Sequence, residues 1–246
     1  MNAVVSTITQ LLPAEIITTD PEQITLYSQD VFTVGPPICA VVRPRSIDEV
    51  QALVRACLER GTPIVTRGGG MSYTSGYIAS APDSVLIDMA SMDAIVEVNL
   101  EDRYVTVEAG CSWQKLYEHL APLGVRTAYW GTLSGRYATV GGGLSQNSIF
   151  WGSGQSGTAA DNVLSVSVVT GKGDLLETGS AAQQHAAPFT RHFGPDLTGV
   201  FLGDCGALGI KVRATLPLVP LAGAKGYTSF AFEESGPMLR AMAQIS

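Results

Sequence analysis

The sequence predicts an α+β fold. Three features indicate it: a strand–helix–strand unit lies at 38–67, several strand-like segments follow between 84 and 110, and a long strand is expected at 208–220. Hydrophobic residues make up 46% and charged residues 15% of the 246 residues, whereas disordered chains show the opposite balance. The length suits one large domain or two closely joined subdomains.

The strand–helix–strand unit has clear boundaries. ICAVV (38–42) is typical of a buried strand. Ser46 and Glu49 have the three-residue spacing of a capping box, so a helix is expected to begin there. Gly61 suits the end of that helix, and PIVTR (63–67) is predicted to return as a second strand.

The rest of the chain is predicted to be rich in strands. YVTVEAG alternates apolar and polar residues, as a sheet with one buried face requires. Strands are predicted at 84–89, 94–98, 104–110, 208–220 and 227–232, with a hairpin turn at 171–174 and helices at 112–120, 196–203 and 235–246. Residues 127–160 form a segment too long for an ordinary loop, which indicates a functional role.

Composition and charge exclude several kinds of protein. The net charge of −7 would repel phosphate backbones, so nucleic acid is not expected as a partner. No apolar run reaches the ~18–20 residues of a transmembrane helix, and the first 20 residues lack the basic residues of a secretory signal. Four scattered cysteines without a CxxC pair favour reduced, buried thiols in a cytoplasmic protein over disulfides or a metal site.

Glycine is the unusual feature of the composition. The chain has 27 glycines among its 246 residues, which is about 11% against a usual share of about 7%. Many of them cluster at 67–76, 131–148 and 203–210. Successive glycines let backbone N–H groups converge on an anion such as a dinucleotide pyrophosphate. No helical pattern follows Gly76, which excludes a nicotinamide-type Rossmann site. A flexible turn at a sheet edge remains the alternative for the first cluster.

The order of these motifs resembles the PCMH-type FAD-binding domain of the vanillyl-alcohol oxidase flavoprotein superfamily. The resemblance covers about residues 36–220 and rests on SIDEVQALV, RGGGMSYTSG, TVGGGLSQN, GTAADNVLSVSVVTGKG and DLTGVFLGDCGALGIKVRATLPLVP. The pattern is most similar to the bacterial D-2-hydroxyacid dehydrogenase branch, which includes proteins like the D subunit of glycolate oxidase.

The resemblance implies an architecture and its boundaries. Two α/β subdomains are expected, first a small, mostly parallel sheet and then a larger mixed or antiparallel sheet. The expected segments are an N-terminal arm at 1–35, an FAD-binding domain at 36–222 with subdomains at about 36–126 and 127–222, and the start of an incomplete C-terminal cap or substrate domain at 223–246.

The resemblance also implies the residues that contact FAD. The first loop is expected to cradle the pyrophosphate, and the second and third motifs to line the rest of the cofactor. The expected contacts are Thr66, Arg67, Gly68, Gly69, Gly70, Met71, Ser72, Gly76, Ser134, Thr139, Gly141, Gly142, Ser145, Ile149, Gly209 and Ile210. Positions that carry a flavin-tethering His or Cys in some members hold Met71 and Tyr137 here, so FAD is expected to bind non-covalently.

The implied activity is oxidation of a 2-hydroxy acid or a similar alcohol by hydride transfer to FAD. Substrate contacts in the family come largely from the cap domain, so a small-molecule substrate and either a partner chain or a missing cap are expected. The alternatives are an FAD-carrying electron-transfer or assembly subunit without substrate activity, and a phenolic-alcohol or sugar oxidase. No catalytic residue is assigned.

Overall fold

The chain folds into two β-sheets with helices packed against them. The computed structural model describes residues 2–129, 131–149, 152–224 and 226–245. The strands are β1 (Ile17–Thr18), β2 (Ala40–Val42), β3 (Ile64–Arg67), β4 (Val85–Asp88), β5 (Ile95–Asn99), β6 (Tyr104–Glu108), β7 (Val125–Thr127), β8 (Ser165–Val169), β9 (Leu175–Glu177) and β10 (Ile210–Pro220). The helices are α1 (Ala3–Leu11), α2 (Pro21–Tyr27), α3 (Ile47–Glu59), α4 (Trp113–Leu120), α5 (Val140–Ser145), α6 (Ser153–Ser156), α7 (Leu197–Val200) and α8 (Ser235–Ile245).

The first sheet contains the predicted strand–helix–strand unit. Its strand order is β1-β2-β4-β3, and β4 pairs in parallel with both β2 and β3. Helix α3 connects β2 to β3, and the Ser46 hydroxyl accepts the amide N–H of Glu49 at 3.2 Å. Gly61 adopts φ +60° just after the helix. The predicted helix boundaries are therefore confirmed, and the sheet places the end of β3 beside the end of β4.

Residues of the N-terminal segment 1–35 contribute to the hydrophobic core of the first sheet. Helix α1, which sequence analysis did not predict, buries Val4, Val5 and Ile8. It packs against α3, and β1 adds an antiparallel edge to β2. The helix forms here because its apolar side chains, spaced three and four residues apart, find a complementary apolar face on α3.

The second sheet is antiparallel and is organised around its longest strand. Its order is β5-β6-β10-β8-β9, and β7 pairs with the far end of β10. Because β5 and β6 belong to this sheet, the chain passes from the first sheet to the second between Asp88 and Ile95, whereas the subdomain boundary near 126 stays a prediction. The predicted hairpin between β8 and β9 is confirmed.

The C-terminal segment follows the sequence expectation only in part. Helix α8 forms as predicted, whereas the described residues of 227–232 form no strand. A strand needs a hydrogen-bonded neighbour, and the described residues offer this segment none. Among the described helices, none is long and apolar enough to cross a membrane.

Candidate functional site

A cleft of about 650 Å³ opens where the ends of β3 and β6 meet the start of β10. All three glycine clusters contribute to its wall. The sixteen residues expected to contact FAD all line it: Thr66, Arg67, Gly68, Gly69, Gly70, Met71, Ser72, Gly76, Ser134, Thr139, Gly141, Gly142, Ser145, Ile149, Gly209 and Ile210. The structure therefore brings together residues up to 144 positions apart in the sequence, and their contacts with a cofactor remain predictions.

The first wall is the loop 68–72 that follows β3. None of its five backbone N–H groups has a hydrogen-bond acceptor among the described residues. Gly70 has φ +66°, and a Cβ on Gly69 would lie 1.7 Å from the carbonyl oxygen of Tyr137. Glycine is therefore required at both positions, and the loop presents unpaired amide donors of the kind that bind phosphate oxygens.

The second wall is the start of α5. The hydroxyl of Thr139 accepts the amide N–H of Gly142 at 3.2 Å and so caps this helix. The amide of Gly141 donates to the carbonyl oxygen of Ala109 at 2.8 Å, which ties α5 to the residue after β6. These bonds fix the position of α5 at the cleft.

The third wall is held by a buried ion pair. The Asp204 carboxylate accepts Lys211 Nζ at 2.6 Å and the amide N–H groups of Gly206 and Leu208 at 3.0 and 3.3 Å. The side chains of Asp204 and Lys211 are only 1% and 3% exposed. Burial lowers the pKa of Lys211, and the hydrogen bond and charge of Asp204 oppose that shift. Asp204 therefore caps this turn and pairs with Lys211 at the same time.

Arg67 lies against the first loop and close to two aromatic rings. Its guanidinium carbon is 4.5 Å from the centroid of the Tyr27 ring and 5.4 Å from that of Tyr77. Its Nε is buried and has no hydrogen-bond partner among the described residues. The side chain therefore brings a positive charge to the cleft wall that no described carboxylate pairs with.

Sequence reasoning missed several residues of the cleft. Val31, Tyr77, Ala109 and Lys211 also line it, and none has a local sequence signal because each arrives from a different part of the fold. Cys205 lines it too and is exposed, which corrects the expectation that all four thiols are buried.

Aromatic and histidine side chains could also serve a flavin site, by ring stacking or proton transfer. Tyr129 is 1% exposed and packs in the core of the second sheet. Trp130 and Trp151 lie outside the described residues. The exposed His119, His185 and His192 are outside the set that lines the cleft, and no hydrogen bond or ion pair places them in it.

Alkylation tests whether Cys205 faces the cleft. Iodoacetamide at pH 8 is expected to modify Cys205 first, because burial raises the pKa of Cys57 to about 12 and of Cys111 to about 11, and only the thiolate reacts. Saturating FAD should slow this modification at least about tenfold. Peptide mass spectrometry measures the label, and Cys205→Ser is the control. Equal labelling with and without FAD would contradict the location of the cofactor.

Comparison with known proteins gives one family. The family model described as "FAD binding domain" matches residues 38–179. The mitochondrial D-lactate dehydrogenase (cytochrome) of Arabidopsis thaliana is 35% identical over 178 residues, which cover 72% of this chain and 30% of that protein. Glycolate oxidase subunit GlcD of Bacillus subtilis is 30% identical over 181 residues, which cover 74% of this chain and 37% of that protein. This chain thus spans about a third of the length of these relatives.

Solved structures show the same fold. The crystal structure of p-cresol methylhydroxylase superposes with a TM-score of 0.77 at 21% sequence identity and covers 90% of this chain and 44% of that one. At this identity the likeness concerns the fold alone.

Proposed function

Because the chain belongs to the family of FAD-binding domains and has their PCMH-type fold, we propose that it is the flavin-binding part of an oxidoreductase. The proposed reaction is the oxidation of a 2-hydroxy acid or a similar alcohol. The observation that carries the proposal is the row of five unpaired amide donors at 68–72, in a cleft built from three glycine clusters. Relatives named as a D-lactate dehydrogenase and a glycolate oxidase subunit support the substrate class.

The residues of the cleft fit FAD. The amides of 68–72 and the unpaired guanidinium of Arg67 suit the two negative charges of a pyrophosphate. The small residues around Thr139 and Gly141 let a flat ring system approach the backbone. FAD bound here would supply a hydride acceptor for the oxidation of the alcohol carbon. The residues of the three cleft walls would hold the cofactor and orient it.

Non-covalent binding is part of the proposal. Met71 and Tyr137 stand where some members carry tethering side chains, and both are exposed at 39% and 59%. Neither residue is the histidine or cysteine that forms the tether in those members. Acid precipitation of the FAD-loaded protein is therefore expected to leave the yellow flavin in the supernatant. Flavin that stays in the washed pellet would overturn this assignment.

Further polypeptide is proposed to cover the C-terminal segment. Phe230, Phe232, Leu239, Met242 and Ile245 are all exposed, and exposed apolar surface of this kind marks an interface. The cover belongs either to a cap segment of the same protein or to a partner chain. If the covering polypeptide comes from a partner chain, this favours the alternative function, that of an FAD-carrying subunit without substrate activity of its own. A cytoplasmic location remains a prediction from the cysteine pattern, and four relatives are named as mitochondrial.

The 246-residue chain alone is expected to show no substantial turnover of a D-2-hydroxy acid. Without the cover, water reaches the open side of the cleft and weakens the electrostatic control of the reaction. Reduction of a dye acceptor by the FAD-loaded chain with D-lactate measures this. Adding the covering chain or segment should restore activity. Sustained turnover by the isolated chain would refute the need for a cover.

A further inference from the structure

We propose that Arg67 supplies the positive charge that balances the pyrophosphate of FAD, and that Tyr27 and Tyr77 are positioning residues that hold its guanidinium against the phosphate loop. The proposal rests on the function proposed above. It concerns how this chain, with a net charge of −7, attracts a dianionic cofactor.

The placement of Arg67 favours this role. A Cβ on Gly70 would lie 2.1 Å from Nη2 of Arg67, so the guanidinium lies directly against the loop whose amides are unpaired. Every other cation on the cleft wall is accounted for, since Lys211 is paired with Asp204. Arg67 is half-buried and its Nε is fully buried, so part of its charge is removed from water without a described counter-ion, which costs free energy. An anion in the cleft would supply the missing partner for both the guanidinium and the amides.

Tyr27 is held in place beside the guanidinium. Its hydroxyl donates to the Asp88 carboxylate at 3.0 Å and accepts Nη2 of Arg43 at 2.9 Å. Arg43 also forms an ion pair with Asp88 at 3.2 Å. The carboxylate of Asp88 is thereby occupied by Arg43 and Tyr27 and leaves Arg67 unpaired. The ring of Tyr27 stabilises the neighbouring cation through its π face.

Tyr77 connects the guanidinium to the loop backbone. Its ring packs against Arg67, and its hydroxyl donates to the carbonyl oxygen of Gly70 at 2.8 Å. Burial raises the pKa of Tyr77, and the charge of Arg67 opposes that shift, so the phenol stays protonated as a donor. This bond turns the Gly70 carbonyl toward Tyr77 and leaves the neighbouring amides available to a ligand.

The test separates charge recognition from general structural damage. Three ligands are titrated into the apo chain: FAD, ADP as a pyrophosphate without flavin, and riboflavin as a flavin without phosphate. Arg67→Gln is expected to lower the affinity for FAD and for ADP at least about tenfold, the loss typical of a charge-assisted hydrogen bond. The affinity for riboflavin should fall less than about twofold. Raising the salt concentration should weaken ADP binding to the wild type more than to the variant, since salt screens the charge.

A matched control and a second variant complete the experiment. Arg136 also lies over a tyrosine ring, that of Tyr137 at 5.5 Å, but is outside the set that lines the cleft. Arg136→Gln removes the same charge and should leave all three affinities within about twofold. Tyr77→Phe keeps the ring and removes the hydrogen bond to the Gly70 carbonyl oxygen. It should therefore lower the affinity for ADP by about three- to tenfold.

The outcomes are distinct. Wild-type affinity for ADP in a folded Arg67→Gln protein would overturn the inference, and so would an equal loss for riboflavin, which would mean a structural role. If Arg67→Gln does not fold, an unchanged ADP affinity and salt dependence in Tyr77→Phe would overturn it instead. Failure of the proposed function would show separately, as a wild-type chain that binds ADP but not FAD.

Discussion

Replacing Gly69 with valine is expected to abolish FAD binding, with an affinity loss of more than about a hundredfold. A Cβ at this position would lie 1.7 Å from the carbonyl oxygen of Tyr137 and 3.2 Å from the amide nitrogen of Ala138. Both atoms belong to the backbone, so the two segments, which pack directly against each other, must separate. Losing two or more charge-assisted hydrogen bonds from the amides to phosphate accounts for the size of the effect.

Gly154→Val is the matched control for this substitution. A Cβ on Gly154 meets no other atom within 4 Å, and the residue lies in α6, outside the cleft wall. This variant should retain wild-type affinity. Isothermal titration with FAD measures both proteins, and circular dichroism checks that they are folded. Normal FAD affinity in a folded Gly69→Val protein would show that the phosphate assignment is wrong.

Replacing Asp204 with alanine is expected to lower the free energy of unfolding by about 3–5 kcal/mol, the cost of leaving one partner of a buried ion pair alone. The substitution leaves the ammonium of Lys211 without a counter-ion at a site where its side chain is only 3% exposed. It also leaves the amides of Gly206 and Leu208 without their acceptor. The loop at 203–209 should therefore become mobile, and FAD affinity should fall with it.

A double-mutant cycle measures the pairing itself. Lys211→Met alone leaves the Asp204 carboxylate buried without its cation and should also be strongly destabilising. The combination Asp204→Ala with Lys211→Met removes both charges and is expected to recover at least about half of the loss, because apolar replacements of buried pairs are tolerated. Urea denaturation gives the four free energies. Additive losses in the double variant would mean that the two side chains do not stabilise each other.

Local sequence signals predicted the elements whose formation depends on neighbouring residues. The start and end of α3 followed from Ser46 and Gly61, because a cap or a left-handed turn is decided within a few residues. The hairpin between β8 and β9 followed from its turn residues in the same way. Helix α1 was missed because its stability depends on packing against α3, and the strand expected at 227–232 is absent because alternation alone supplies no pairing partner.

The sequence by itself determined that this protein has an α+β fold, where its glycine clusters lie and, through their order, the cofactor family. Only the tertiary structure decided how these parts meet. It placed β5 and β6 in the second sheet, where β6 pairs with β10, buried the pair of Asp204 and Lys211, and brought Arg67 close to the rings of Tyr27 and Tyr77. The physical reason is distance: capping and turn geometry act over a few bonds, whereas strand pairing, ion pairing and ring stacking join residues that only the folded chain brings within a few ångströms.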